Sequence, residues 1–182
     1  MLLNIPNTIT IARVASIPLF IALVLWETWL GTILAIVLFA LAAISDIVDG
    51  YLARGLGHTT TFGTFADPIA DKLLITAALI TFIQIGELTA IPVVIIISRE
   101  FIVTGLRIMA ISKQKVIPAS ILGKLKTHSH IGLILIVLIS RHVDLFGISE
   151  EITYAFIILA VALALISAGE YFYRSRHLNL FQ

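Results

Sequence analysis

The sequence has no cysteine among its 182 residues, which excludes disulfides and thiolate metal sites together. Charge is scarce as well: 13% of residues are Asp, Glu, Lys or Arg, against 59% hydrophobic. With a mean hydropathy of +1.08, that balance excludes an ordinary soluble domain and points to a multi-span membrane protein. A basic n-region and a small-residue cleavage site are missing from the first apolar segment, so it reads as a retained span rather than a signal peptide. No internal repeat is visible. The length leaves room for a single membrane domain, 1–182, without a separate soluble module. A net charge of +1 is uninformative in itself and calls for no nucleic-acid partner.

What is present is a series of apolar runs. Residues 1–9 are too short to cross a bilayer and are expected at the interface. Six spans are then expected: from Asn7–Thr8 or Thr10 to about Trp29, with Trp26 and Trp29 at interface depth, from near Gly31 to Arg54, and from near Gly63 to Ile85, where Gly86-Glu87 makes a short turn. The remaining three are Thr89 to Ser112, a fifth opening with Pro118 and running through Ile131 to Ile139, and about Ile152 to Tyr173. The predicted fold class is therefore an all-α integral membrane protein with six transmembrane helices and a short N-terminal interfacial segment.

Six spans put both termini on one side, and the basic residues say which. Arg13, Arg54, Lys113, Lys115, Lys124, Lys126, Arg174 and Arg176 fall on the terminal side. Only Arg141 falls opposite, beside Glu27, Glu87, Asp144, Glu150 and Glu151. The positive-inside rule makes the termini cytoplasmic.

The rare acids are concentrated. Asp46 and Asp49 are three residues apart; Asp67 and Asp71 are four apart, so each pair shares a face if its segment is helical. Gly55 to Phe62, with two glycines and three threonines, suits a turn that folds one pair back towards the other. Four converging carboxylates in an apolar setting repel one another unless a cation sits among them, and hard oxygen ligands select Mg²⁺, Mn²⁺ or Ca²⁺. A plainer reading of Asp67 is a helix N-cap before Pro68 at the first helical position; it accounts for one acid, not four.

Arg99, Glu100, Arg107, Lys124 and Lys126 are further ionisable groups within spans, where such residues are costly. Adjacent on a helix, Arg99 and Glu100 point about 100° apart, so each is expected to need its own partner, with the lysines of span five as candidates for Glu100. A carboxylate cluster with divalent ions and a basic cluster together suit a phosphorylated substrate: metals for a pyrophosphate, cations for a second phosphate. Asp71, one turn deeper than Asp67, is the natural general base for an attacking hydroxyl. Gly50, Ala53 and Gly63 are small enough for a nucleotide to approach the backbone. The chemistry indicated is phosphoryl-type transfer at a membrane surface, with a divalent-cation transporter as the alternative from another class. A transporter has no need of the basic cluster.

Residues 46 to 71 carry D-x2-D-G-x2-A-R-x8-G-x3-D-x3-D, and in this they resemble the CDP-alcohol phosphatidyltransferase family. The resemblance implies a six-span homodimeric enzyme with two Mg²⁺ or Mn²⁺ ions facing the cytoplasm of a bacterial cell. It implies Asp46, Asp49 and Asp67 as metal ligands, and Asp71 as both ligand and base. Asp49, Gly50, Ala53, Arg54, Gly63 and Asp67 would shape the CDP-diacylglycerol pocket. Asn4 to Thr10 with Arg13, Arg99 to Arg107, and Gly123 to Thr127 resemble the members that use sn-glycerol 3-phosphate, which would be held by Arg99, Arg107, Lys124 and Lys126. Members with other acceptors (serine, inositol phosphate, phosphatidylglycerol) are the nearest rivals. One departure is His130, where such members often carry glutamine.

Other polar residues are expected to be incidental. His58 reads as a solvated loop residue; His128 and His130, two apart, do not share a helix face. Tyr171 and Tyr173 read as an interfacial anchor, Glu170 either approaches the cavity or faces the headgroups, and Gly123 and Gly132 read as close-packing positions.

Overall fold

The computed structural model describes the backbone at residues 5–56, 61–115, 118, 120–141 and 150–176, and side chains at 11–45, 72–115, 118, 120–141 and 150–176. Among the described residues the chain is all helical. The elements are α1 (Ile5–Leu25), α2 (Trp29–Leu56), α3 (Thr61–Gln84), α4 (Ala90–Ser112), α5 (Ile121–Ser140) and α6 (Glu150–Arg176). They fall into two compact units, Met1–Ile85 and Gly86–Gln182.

In the first unit α1 packs against both α2 and α3. It begins at Ile5, earlier than expected, since Pro6 in a first turn sacrifices no backbone bond. Pro18 removes one donor inside α1 without ending it. The helix stops at Leu25, so Trp29 opens α2 instead of closing the first span. Glu27 there takes a left-handed φ of 52°, and the Thr28 hydroxyl accepts the Gly31 N–H at 3.1 Å as an N-cap. A Cβ at Gly31 would stand 2.7 Å from the Leu23 carbonyl, so glycine is what allows α2 to leave α1 this tightly. Phe20 and Phe39, with ring centroids 5.9 Å apart, anchor a core completed by Val24, Ala35, Leu74, Ala78, Leu79 and Phe82.

The second unit is built around α6, which packs against α4 and α5. Apolar surface drives no association between helices that already lie in lipid, so close backbone approach must do it. Ala160 and Ala164 of α6 are fully buried, and a Cβ on Gly132 would lie 3.2 Å from the Phe156 ring. Gly123 likewise meets Tyr171, so both glycines serve packing as the sequence suggested. Gly86 makes the expected turn before α4, at φ +80°.

In the second unit two boundaries differ from expectation. Pro118 precedes α5 rather than opening it, because Ser120 is the N-cap, accepting the Gly123 N–H at 2.9 Å. Glu150 and Glu151 belong to the first turn of α6, with Arg174 and Arg176 in its last; both ends then complement the helix dipole. Among the described residues, α5 and α6 are long and apolar enough to cross a membrane, while Ile11–Leu25, Trp29–Ser45 and Lys72–Gln84 are shorter apolar stretches.

Candidate functional site

The acidic motif lies on two helices. Asp46, Asp49, Gly50, Ala53 and Arg54 are in α2; Gly63, Asp67 and Asp71 are in α3. The helical premise behind their spacing therefore holds in the backbone. Helix α3 starts at Thr61, more than a turn before Pro68, so Asp67 is not an N-cap. The turn is also shorter than expected, α2 running to Leu56 before α3 resumes at Thr61. The side chains of Asp46, Asp49, Arg54, Asp67 and Asp71, and His58 altogether, lie outside the described residues.

The basic motif can be followed atom by atom in the second unit. Arg99 and Lys126 are almost fully buried, at 6% and 5% exposure, and both bond to the same oxygen, Oε1 of Glu100. Arg99 Nη1 donates to it at 3.0 Å, and Lys126 Nζ donates from α5. Lys126 was one of the partners anticipated for Glu100. Arg99 and Glu100 do each take a partner of their own, Ser167 and Lys126, but being adjacent does not keep them apart, since they also bond each other. One carboxylate then compensates two cations whose isolated burial would cost several kcal/mol each. The other arm of Arg99 crosses to α6, where Nη2 donates to Ser167 Oγ at 3.0 Å. Ser167 directs its own hydrogen towards the Leu163 and Ala164 carbonyls, 2.6 and 3.0 Å away.

Outside this buried knot, Arg107 and Lys124 are exposed. The Arg107 guanidinium lies over the Tyr171 ring, 5.9 Å from its centroid, and Arg99 lies over the same ring at 5.6 Å. Tyr171 is therefore no interfacial anchor. It is buried, at 4% exposure, whereas Tyr173 is exposed. Glu170 is taken by Arg174 one turn on, at 2.6 Å. His130 is fully buried one turn past Lys126 and faces the Ala160 backbone; among the described residues neither ring nitrogen closes a hydrogen bond. His128 is exposed and its Nδ1 meets the Lys124 carbonyl at 2.8 Å, so the two histidines do not act together.

Sequence reasoning brought Arg99, Arg107 and Lys126 to this site and missed Ser167 and Tyr171. Their signal is faint but present: a serine and a tyrosine four residues apart in an apolar helix share one face. Chemically, the cluster carries more positive charge than Glu100 cancels, which favours an anion beside the exposed cations.

Glu87 sits away from this cluster, in the turn before α4, 3.7 Å from Arg141. Burial pushes its carboxyl above the usual range, and Arg141 offsets part of that.

Comparison with known proteins gives the family. The model of the CDP-alcohol phosphatidyltransferase family matches residues 3–166. A CDP-diacylglycerol–glycerol-3-phosphate 3-phosphatidyltransferase of Bacillus subtilis (strain 168) is 44% identical over 140 residues, 70% of this chain and 72% of the relative. One from Rickettsia bellii is 42% identical over 124 residues, 68% of each. The chloroplastic/mitochondrial enzyme 1 of Arabidopsis thaliana is 37% identical over 153 residues, 76% of this chain and 52% of the relative.

Proposed function

The chain belongs to the CDP-alcohol phosphatidyltransferase family, and from that premise we propose how it works. It transfers the phosphatidyl group of CDP-diacylglycerol to sn-glycerol 3-phosphate, yielding phosphatidylglycerophosphate and CMP for phospholipid synthesis. The observation that carries the acceptor assignment is the charge imbalance on α4 and α5. Arg99, Arg107, Lys124 and Lys126 are set against Glu100 alone, and Glu170 on α6 is already paired. A phosphorylated acceptor fits that excess; serine does not.

The reaction forms one bond and breaks one. The acceptor hydroxyl oxygen attacks the β-phosphorus of CDP-diacylglycerol, the bond to the CMP oxygen breaks, and the hydroxyl proton goes to Asp71. The exposed Arg107 and Lys124 hold the acceptor phosphate by charge-assisted hydrogen bonds. Arg99 and Lys126, tied to Glu100, set the local field behind them. Gly50, Ala53 and Gly63 leave room for the nucleotide, and Arg54 pairs with its phosphate. The family depends on divalent metal, and the donor set suits it: Asp46, Asp49, Asp67 and Asp71 are hard oxygen ligands at helical spacings and would hold two Mg²⁺ or Mn²⁺ ions. Such ions would supply charge compensation on the pyrophosphate.

In the same reading the protein is one family domain crossing a bacterial cell membrane six times. Its termini are cytoplasmic, in keeping with the basic residues on that side, and it works as a homodimer among membrane lipids. The test is CMP release by purified protein with CDP-diacylglycerol and Mg²⁺, offered glycerol 3-phosphate, serine or inositol phosphate. Release should require glycerol 3-phosphate and stop when EDTA removes the divalent ions. Release driven by another acceptor would overturn the assignment of substrate but not of family.

A further inference from the structure

Tyr171 belongs to the basic cluster, yet the transfer reaction gives it no task. It forms a buried cluster with Val103 and Ala110 of α4, against which Ala168 of its own helix packs. Its hydroxyl end is so close to α5 that a Cβ on Gly123 would stand 3.2 Å from the phenol oxygen. Gly123 immediately precedes Lys124. One side chain from α6 thus touches α4 on one side and the start of the lysine segment on the other. Two guanidinium groups, Arg99 and Arg107, share its ring.

These two arginines are held differently. Arg99 has Glu100 and Ser167 as well as the ring. For Arg107, exposed at the rim, the ring contact is the only side-chain interaction seen among the described residues. An aromatic quadrupole attracts a cation without carrying a charge of its own. A carboxylate in the same position would fix Arg107 equally well and cancel it.

We propose that Tyr171 is a positioning residue for the acceptor phosphate: its ring holds Arg107, and secondarily Arg99, in place while leaving their positive charge uncancelled for the anion. The inference rests on the acceptor reading above and adds to it the residue that organises the phosphate subsite. A cationic side chain left free on a helix surface must lose rotamer freedom when it binds phosphate. Holding it beforehand moves that cost from binding to folding. The effect of losing the ring should therefore appear in the acceptor KM and not in the KM for the nucleotide lipid.

The test keeps the shape of the ring and changes its electrons. Tyr171→Phe should leave the KM for glycerol 3-phosphate within about two-fold, because the quadrupole survives. Phenylalanines with one, two and three ring fluorines, incorporated at position 171, should raise that KM stepwise to about ten-fold. The KM for CDP-diacylglycerol and the thermal unfolding of the full-length protein should not move. An acceptor KM that stays flat across the series, in protein that turns over glycerol 3-phosphate, overturns the proposal and leaves the acceptor reading intact. So does a rise in both KM values accompanied by lower thermal stability, which would make Tyr171 a packing residue. Wild-type protein that ignores glycerol 3-phosphate would remove the acceptor reading and the proposal together.

Discussion

The two units concentrate opposite charge and do so by opposite means. In the first, four aspartates lie on two helices at spacings of three and four residues, and no basic residue but Arg54 falls between the first and the last. In the second, the cations come from α4 and α5, their carboxylate from α4, and the groups that hold the arginines from α6. In the reading proposed above, the acidic group takes its cation from outside. The basic one is partly compensated by the chain itself, and only its exposed rim awaits an anion. Substitutions in the first unit should therefore damage chemistry before stability, and buried substitutions in the second should do the reverse.

Asp71→Asn should show the largest effect. Losing the general base costs roughly 10²–10⁴-fold in turnover, seen as CMP release falling towards background while CDP-diacylglycerol binding and thermal stability hold. An active Asp71→Asn enzyme would remove Asp71 from the role of base and, with it, much of the contrast.

Glu100→Gln comes next, and it should act on folding. It leaves Arg99 and Lys126 buried without their shared carboxylate, a loss of about 3–5 kcal/mol, read as a drop in thermal unfolding temperature in detergent. Adding Lys126→Met should recover part of that stability, since one buried charge goes with the partner it lost. If the double variant is less stable than Glu100→Gln, the knot is not governed by charge compensation.

Glu87→Gln should do least. The pair with Arg141 is partly exposed, so stability at neutral pH should change by less than ~1 kcal/mol. Because burial raises the Glu87 carboxyl above its ordinary value, its contribution is fully present below the ordinary glutamate pKa and fades as pH rises through the raised one. The variant should lack that fading. Stability against pH, measured for both proteins, would show it as a slightly flatter curve.

Much of the fold was legible because it depends on local pattern. Apolar runs of helical length, Thr89 ahead of α4 and Gly86 as a turn are visible in a few consecutive residues. The misplaced boundaries have local causes too: Ser120 outranks Pro118 as a helix start, and Thr28 outranks Trp26 and Trp29 as a marker of the first turn. The acidic motif was legible for the same reason, since all its spacings lie within 26 residues of one another.

The basic cluster was legible only as a set of names. That Lys126 would meet Glu100 could be guessed from charge, because a buried cation needs a carboxylate and few were on offer. That Arg99 would reach Ser167, 68 residues away, could not. Nor could the burial of Tyr171, which on sequence alone looks like its exposed neighbour Tyr173.

By itself, then, the sequence determined the helical, apolar character of the chain, the grouping of its acids and the types of residue available for phosphate. The tertiary structure alone decided which cations are compensated inside and which, among the described residues, have no carboxylate at the rim. The physical reason is that helix formation and same-face spacing follow from neighbours a turn apart, whereas charge compensation follows from which helices pack together, and that depends on close contacts such as Gly132 with Phe156 and Gly123 with Tyr171.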